Sequence, residues 1–324
     1  MYFSLLMETA YYRSFSTYLS EKFDQRVYRV SLDAGFSCPN RNRYAVIRDP
    51  AVRKGAVGTG GCAYCSAEGS WNGSKKKLSL EDQVKTGKVM IGRRYNASKF
   101  LAYFQAYSNT YAPVDTLREI YDSVVLDDED FVGLIIGTRP DCIDYEKLEL
   151  ISSYKERGLE VWLEYGLQSS NDRTLEIIGR GHTAEDFARA VYMTKDFGIS
   201  VCAHVIIGLP GESSSDILNT ARFLSGLPVE GVKLHNLNIV KGTRMADEYY
   251  RGNVMPLALD EYARLAVGFL ERISPDVVVQ RLVAQTSSRW LLGPEWSLNK
   301  PMAVNAIIEE FKRRNSFQGK LFRK

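Results

Sequence analysis

RVYRVSLDAGFSCPNR, residues 26–41, sets the reading of the whole chain: a β-rich run, Val27–Leu32, leads into a loop that carries Cys38. Similar runs of Val, Ile, Leu and aromatic residues, bounded by Gly, Pro or Asp, recur at Phe100–Gln105, Phe131–Ile136, Glu160–Glu164, Ser200–Ile207 and Val232–Ile239. Amphipathic stretches with helical period lie between them, at Leu78–Met90, Asp115–Val124, Tyr145–Arg157, Asp172–Ile178, Thr183–Phe197 and Ser215–Leu224. Ser79 with Asp82, and Thr183 with Asp186, are capping patterns that mark two of the starts. Six β-then-α units in one direction predict an α/β fold: a parallel sheet with helices outside, open or curled into a partial barrel. Catalytic groups in such folds sit at the carboxyl ends of the strands.

The pattern changes after Ile239. Leu257–Ile273 reads as a long helix, Val277–Leu282 as a short β run introduced by Pro275 and Asp276, and Met302–Arg314 as a final helix. The expected organisation is an N-terminal segment (1–25), a main domain (26–245) and a small C-terminal α+β cap (246–324). With 324 residues, 45% hydrophobic and 25% charged, the chain has the composition of a soluble globular protein. A net charge of +3 neither implies nor excludes nucleic acid. KKK at 75–77 and KRR at 312–314 read as solvated faces, with nucleic-acid contact the lesser reading. No run of eighteen apolar residues exists, so no membrane partner is expected. MYFSLLMETAYY lacks a cationic start and carries Glu8, so it is a poor signal peptide and the cytoplasm is the expected compartment. In that reducing setting five cysteines are ligands, nucleophiles or core residues before they are disulfides.

Cys62 and Cys65 lie in GTGGCAYCSAEGS, residues 58–70, where glycines let the backbone bend closely around a C-x-x-C pair. With Cys38 they make three thiolates at the end of a first strand. An iron–sulfur cluster on three thiolates leaves one iron open for a ligand, which suits catalysis. A structural zinc wants a fourth ligand, and no His lies near the pair. A thioredoxin-like redox pair needs no third cysteine. The three-thiolate cluster leads; a zinc-stabilised RNA-binding protein without catalysis is the alternative.

The block CPNR…GTGGCAYCS resembles the cluster loop of radical S-adenosylmethionine (SAM) enzymes with a lengthened first spacer, and Tyr64 is the aromatic that family prefers before the last cysteine. IIGTRPDCID (135–144), EYGLQSSNDRTLEIIGRGHTAEDF (164–187), VIIGLPGES (205–213) and NIVKGTRMADEY (238–249) resemble the third- to sixth-strand motifs of the family, in order. Together with YFQAYSNTYAP (103–113) and the terminal VVQRL…WSLNK they look like a bacterial Elongator-like branch of it. Two departures stand out. The spacer carries an extra basic stretch, RYAVIRDPAVRKGA (43–56), read as a disordered loop ahead of a substrate lid. The Gly-Gly-Glu segment that holds the SAM amine is replaced by Tyr103-Phe104-Gln105.

The resemblance implies a partial (β/α)₆ TIM-like barrel of the radical SAM type with a small C-terminal cap. It implies a [4Fe–4S] cluster on Cys38, Cys62 and Cys65, and reductive cleavage of SAM to a 5′-deoxyadenosyl radical that abstracts hydrogen. Arg180 and Gln168 align with a SAM-binding pair of related oxidases, and a forked guanidinium suits the SAM carboxylate. His204 stands where relatives place a ribose-binding Asp. Gly208, with Pro210 and Gly211, is expected to shape the loop against adenine, and Ile206 to line it. Gln105 is offered to the amine, and Glu164 faces the cavity or pairs with an arginine. Arg139 and Asp141 are expected to pair with each other. His235, Asn236 and Lys241 are substrate-side candidates, Cys142 and Cys202 inert core thiols, and no catalytic residue is assigned. The implied partners are SAM, a one-electron reductant such as flavodoxin or ferredoxin, and tRNA or another RNA as a candidate substrate. The oligomeric state stays open.

Overall fold

The structure is a computed structural model and describes residues 11–41, 61–65, 78–126 and 128–323. The basic stretch 43–56, the lysine run 75–77 and the opening residues 1–10 lie outside the described residues. Helix α1 (Phe15–Phe23) precedes β1 (Val27–Leu32). The alternation then runs α2 (Leu80–Tyr95), β2 (Lys99–Phe104), α3 (Val114–Val125), β3 (Phe131–Thr138), α4 (Tyr145–Glu156) and β4 (Glu160–Gln168). It continues through α5 (Asp172–Ile177), α6 (Ala184–Asp196), β5 (Ser200–Ile207), α7 (Ser214–Ser225) and β6 (Gly231–Asn236). The C-terminal part holds β7 (Ile239–Val240), α8 (Arg244–Tyr250), α9 (Leu259–Leu270), β8 (Val278–Arg281), β9 (Leu291–Gly293) and α10 (Lys300–Arg313).

Seven strands pair in the order β1-β2-β3-β4-β5-β6-β8, every neighbour parallel, as a curled half-barrel. The sheet therefore has one strand more than the sequence alternation predicts. The run expected within the C-terminal cap joins the main sheet as β8, beside β6. The run expected over Val232–Ile239 is split: β6 stops at Asn236, and β7 pairs antiparallel with β9. The run expected to end at Glu164 continues to Gln168, because Gly166 is an inward strand position here and not a breaker. Both capping patterns form, Thr183–Asp186 as a reciprocal box and Ser79 as acceptor from the Asp82 N–H.

Successive side chains on each strand face opposite ways. Leu163, Tyr165, Ala203, Val205, Val232 and Leu234 point outward into the core shared with the helices. The inward residues form layers. The lowest layer is apolar, and α1 plugs it: Phe15 and Tyr18 set their rings edge-on to Trp162, centroids 5.7 and 5.8 Å away. Gly231 is needed beside it, since a Cβ there would stand 2.8 Å from the Trp162 ring. Among the described residues no helix is long and apolar enough to cross a membrane.

Candidate active site

A cavity of about 240 Å³ opens at the carboxyl ends of the strands, and Cys38, Cys62 and Cys65 all line it. Cys38 arrives on the loop after β1. The Cys62–Cys65 segment is a tight turn, with the Cys65 N–H donating to the Cys62 carbonyl at 3.0 Å and Gly61 at φ +102°. Ala63 anchors this turn at both ends, donating to the Ile178 carbonyl (2.8 Å) and accepting from the Met245 N–H (2.9 Å). The amide of Asn40 donates to Cys62 Sγ at 3.4 Å and to the carbonyls of Gly179 and Arg180 at 2.9 and 3.0 Å.

Arg180 is buried at the same place. Its Nε and Nη2 donate to the Gly166 carbonyl (3.2 and 2.8 Å), and Nη1 lies 3.7 Å from Cys62 Sγ. Gly166 has no room for a side chain: a Cβ would stand 2.4 Å from Arg180 Nη2 and 2.5 Å from Gln168 Nε2. Arg139 forks onto Asp141 with two bonds of 2.8 Å, as expected, and spends Nη1 on the Arg180 carbonyl at 2.7 Å. Burial pushes the Cys62 thiol up, but the Arg180 and Arg139 charges and the bonds from Arg180 and Asn40 bring it below its ordinary value. Burial, reinforced by Cys62, pushes Cys65 up to about 11.

This donor set fits an iron–sulfur cluster better than a single ion. Sulfurs bound to one zinc at about 2.3 Å lie no more than about 4.6 Å apart. Among the described residues the trio of possible ligands within 4.8 Å of one another is Glu164, Cys202 and His204, not the three cavity cysteines. Thiolates on separate irons tolerate the wider spread, and N–H groups aimed at sulfur are how a protein tunes such a cluster. The compact trio itself is no cation site, because Lys233 Nζ holds both Glu164 carboxylate oxygens at 2.5 Å.

Of the other expected residues, Tyr64, Gln105, Glu164, Gln168, Arg180, His204 and Ile206 line this cavity. Gly208 does not: at φ +95° it turns the chain after β5 against Leu257. Gln168 ends β4 at φ +75°, a left-handed conformation rare for a non-glycine, just past a register shift in the ladder. His204 Nε2 lies 2.9 Å from Glu164 Oε2, and since a carboxylate only accepts, this nitrogen carries the proton. Burial lowers His204 to about 4 despite Glu164, so the ring is neutral at pH 7. The partner of Glu164 is a lysine, not an arginine. Burial pushes the Glu164 carboxyl up, yet Lys233 and His204 hold it well below the usual range.

His235 and Asn236 line the cavity, whereas Lys241 is spent on the Arg289 carbonyl in the β7–β9 pair. Cys142 and Cys202 are buried thiols, the first pushed up to about 12 and the second well above its ordinary value by burial. Sequence reading gave no role to Asn40, Lys233 or Arg281. One signal was available for Lys233: a cation flanked by Val232 and Leu234 sits on the inward parity of its strand, as Glu164 does on β4.

Comparison with known proteins agrees with this geometry. Residues 56–224 match the model of the radical SAM superfamily, and residues 229–313 match the radical SAM C-terminal domain. The chain is similar to YtqA of Bacillus subtilis, 37% identical over 97% of this chain and 93% of that one. It is 26% identical to a tRNA uridine(34) acetyltransferase of Dehalococcoides mccartyi over 47% of this chain and 33% of that protein. Its fold is similar to that of Methanocaldococcus infernus Elp3, with a TM-score of 0.59 at 15% identity, covering 90% of this chain and 64% of that one. The chain thus belongs to the radical SAM superfamily, enzymes that use a [4Fe–4S] cluster and S-adenosylmethionine.

Proposed function

We propose that the chain cleaves SAM reductively at a cluster held by Cys38, Cys62 and Cys65 and directs the radical to a substrate entering the same cavity, with tRNA or another RNA as the class to test first. The observation that carries this reading is the convergence of three thiols, Arg180, Gln168 and His204 on one cavity at the strand ends. The chemistry the cofactors supply when bound is one-electron cleavage of SAM to methionine and a 5′-deoxyadenosyl radical, which takes hydrogen from the substrate.

The chain's own residues bind and orient. Asn40 and Arg180 direct N–H groups at the Cys62 sulfur and fix its position. The Arg180 guanidinium, held in plane by the Gly166 carbonyl, offers its remaining donors to the SAM carboxylate. Gln168 takes the ribose, and His204, with its proton committed to Glu164, presents Nδ1 as an acceptor for a hydroxyl. Gln105 is offered to the amine, and Tyr64 and Ile206 supply apolar wall for adenine, with Gly208 shaping the turn behind. Residues 26–245 carry this chemistry, while 246–324 supply β8 and a wall of the cavity. The reductant is a flavodoxin- or ferredoxin-like protein, and the cytoplasm is the compartment in which the thiols stay available. RNA is supported by the likeness to a tRNA uridine(34) acetyltransferase and by the basic stretch 43–56.

The test is anaerobic reconstitution with iron and sulfide, reduction, and incubation with SAM and candidate RNAs. A brown protein that releases 5′-deoxyadenosine, with both colour and product lost in Cys65→Ala, is the expected result. A colourless protein carrying one zinc and yielding no product overturns the reading.

A further inference from the structure

The lining of the cavity carries more cations than carboxylates. Arg139 has Asp141, Arg180 faces the Cys62 thiol, and Lys233 has Glu164. Arg281 has no such counter-charge among the described residues. It ends β8, the edge strand farthest in sheet order from the β1 loop that carries Cys38, and its side chain lines the cavity. Among the described residues it makes no ion pair, and its one hydrogen bond runs from Nη1 to His235 Nε2 at 3.3 Å. Arg29 adds a second cation from β1, packed over the Phe15 and Tyr103 rings at 5.3 and 5.7 Å, with Nη1 buried and unbonded.

The histidines are arranged to complement Arg281. Burial first, and then the Arg281 charge, keep His235 far below its ordinary value, so the ring is neutral. A neutral His235 that accepts from Arg281 at Nε2 carries its proton on Nδ1, which leaves the ring one donor of its own. Asn236 braces the wall beside it, its Oδ1 accepting from the Ala284 N–H at 3.0 Å, so the loop after β8 is held against β6. The result is a forked cation with most of its donors unspent, beside a neutral imidazole, in a cavity whose lining carries more cations than carboxylates.

We propose that Arg281 and His235 form an oxyanion subsite at the β6–β8 side of the cavity, which takes a carboxylate or phosphate carried by the hydrogen-donating substrate. The inference rests on the reading of this cavity as the place of SAM chemistry, and it narrows the substrate to a molecule with an anionic group within reach of its reacting carbon. A guanidinium is the side chain suited to such a group, because its parallel N–H bonds fix orientation as well as charge. SAM itself is accommodated elsewhere, with its carboxylate beside Arg180.

The test is calorimetric titration of the reconstituted protein, with SAM present, against acetate, inorganic phosphate and a single-stranded RNA hexamer. At least one probe should bind, and Arg281→Gln should weaken that binding tenfold or more, while Arg281→Lys, which keeps the charge without the fork, falls between. Arg264→Gln on α9 removes one distant positive charge and should change nothing. Dependence on Arg281 with acetate alone identifies a carboxylate substrate, with phosphate alone a phosphorylated small molecule, and with the hexamer an RNA phosphate. Binding that is indifferent to Arg281, or that Arg264→Gln weakens equally, overturns the subsite, as does no binding of any probe. If Arg281→Gln does not fold, Arg281→Lys carries the same comparison. SAM cleavage, assayed on the wild-type sample, can fail while Arg281-dependent anion binding persists, so the two readings fall separately.

Discussion

The two ends of the barrel interior are built from the same strands, two residues apart, and share almost nothing chemically. On β4 the inward series runs Trp162, Glu164, Gly166 and then Gln168; on β5 it runs Cys202, His204, Ile206; on β6 it runs Gly231, Lys233, His235. The lower end is an aromatic plug closed by Phe15 and Tyr18 of α1. The upper end holds thiols, arginines and a left-handed glutamine. Between them lies the fully buried Lys233–Glu164 pair, with the Tyr103 hydroxyl 3.0 Å from Lys233 Nζ. The lower end is packed for stability, and the strain and charge of the upper end are tolerated because that packing holds the strands in register.

Breaking the middle layer should have the largest effect on stability. Lys233→Met strands a buried carboxylate and should cost about 3–5 kcal/mol of unfolding free energy in urea, whereas Lys233→Met with Glu164→Leu should recover most of it. Next comes the plug: Phe15→Ala should cost about 3 kcal/mol, with cluster content per folded molecule unchanged. A fall in iron content as large as the fall in stability would erase the distinction between the two ends.

Gly166→Ala probes the upper end alone. The added methyl displaces Arg180 and Gln168, so SAM affinity should fall roughly tenfold, the loss expected for one charge-assisted bond. The midpoint of unfolding should move less than for Phe15→Ala.

A pH-dependent effect concerns Glu212, whose side chain accepts from Ser169 Oγ beyond the mouth of β5. Burial raises it to about 7, against the bonds from Ser169 and Thr174. The folded chain therefore keeps a proton there that an unfolded glutamate releases near pH 4. That contribution to stability is complete below about pH 4 and is lost as pH rises through about 7. Glu212→Gln should flatten the decline in melting temperature across that window.

The local alphabet of the fold was legible in the sequence. Strand composition at Val27–Leu32 and Ser200–Ile207 and the Thr183–Asp186 box depend on neighbours a few residues away, and the structure reproduces them. The cysteine loop and its motifs were legible as well, since a C-x-x-C turn carries its spacing in the chain. Gly166 misled because a glycine looks like a strand end until Arg180, fourteen positions later, is seen to cross it. Gly208, expected to shape the loop after β5, turns the chain there at φ +95° against Leu257.

What the sequence determined by itself, then, is the alternation of strand and helix, the three thiols and the family to which their motifs point. These rest on short-range periodicity and on residues adjacent in the chain. Only the tertiary structure decided that β8 joins the sheet as its seventh strand, that α1 plugs its lower end and that Lys233 answers Glu164. It alone left Arg281, among the described residues, without an ion pair. Each of those facts joins residues far apart in sequence, and parallel pairing and buried charge balance are settled only when distant strands come to lie side by side.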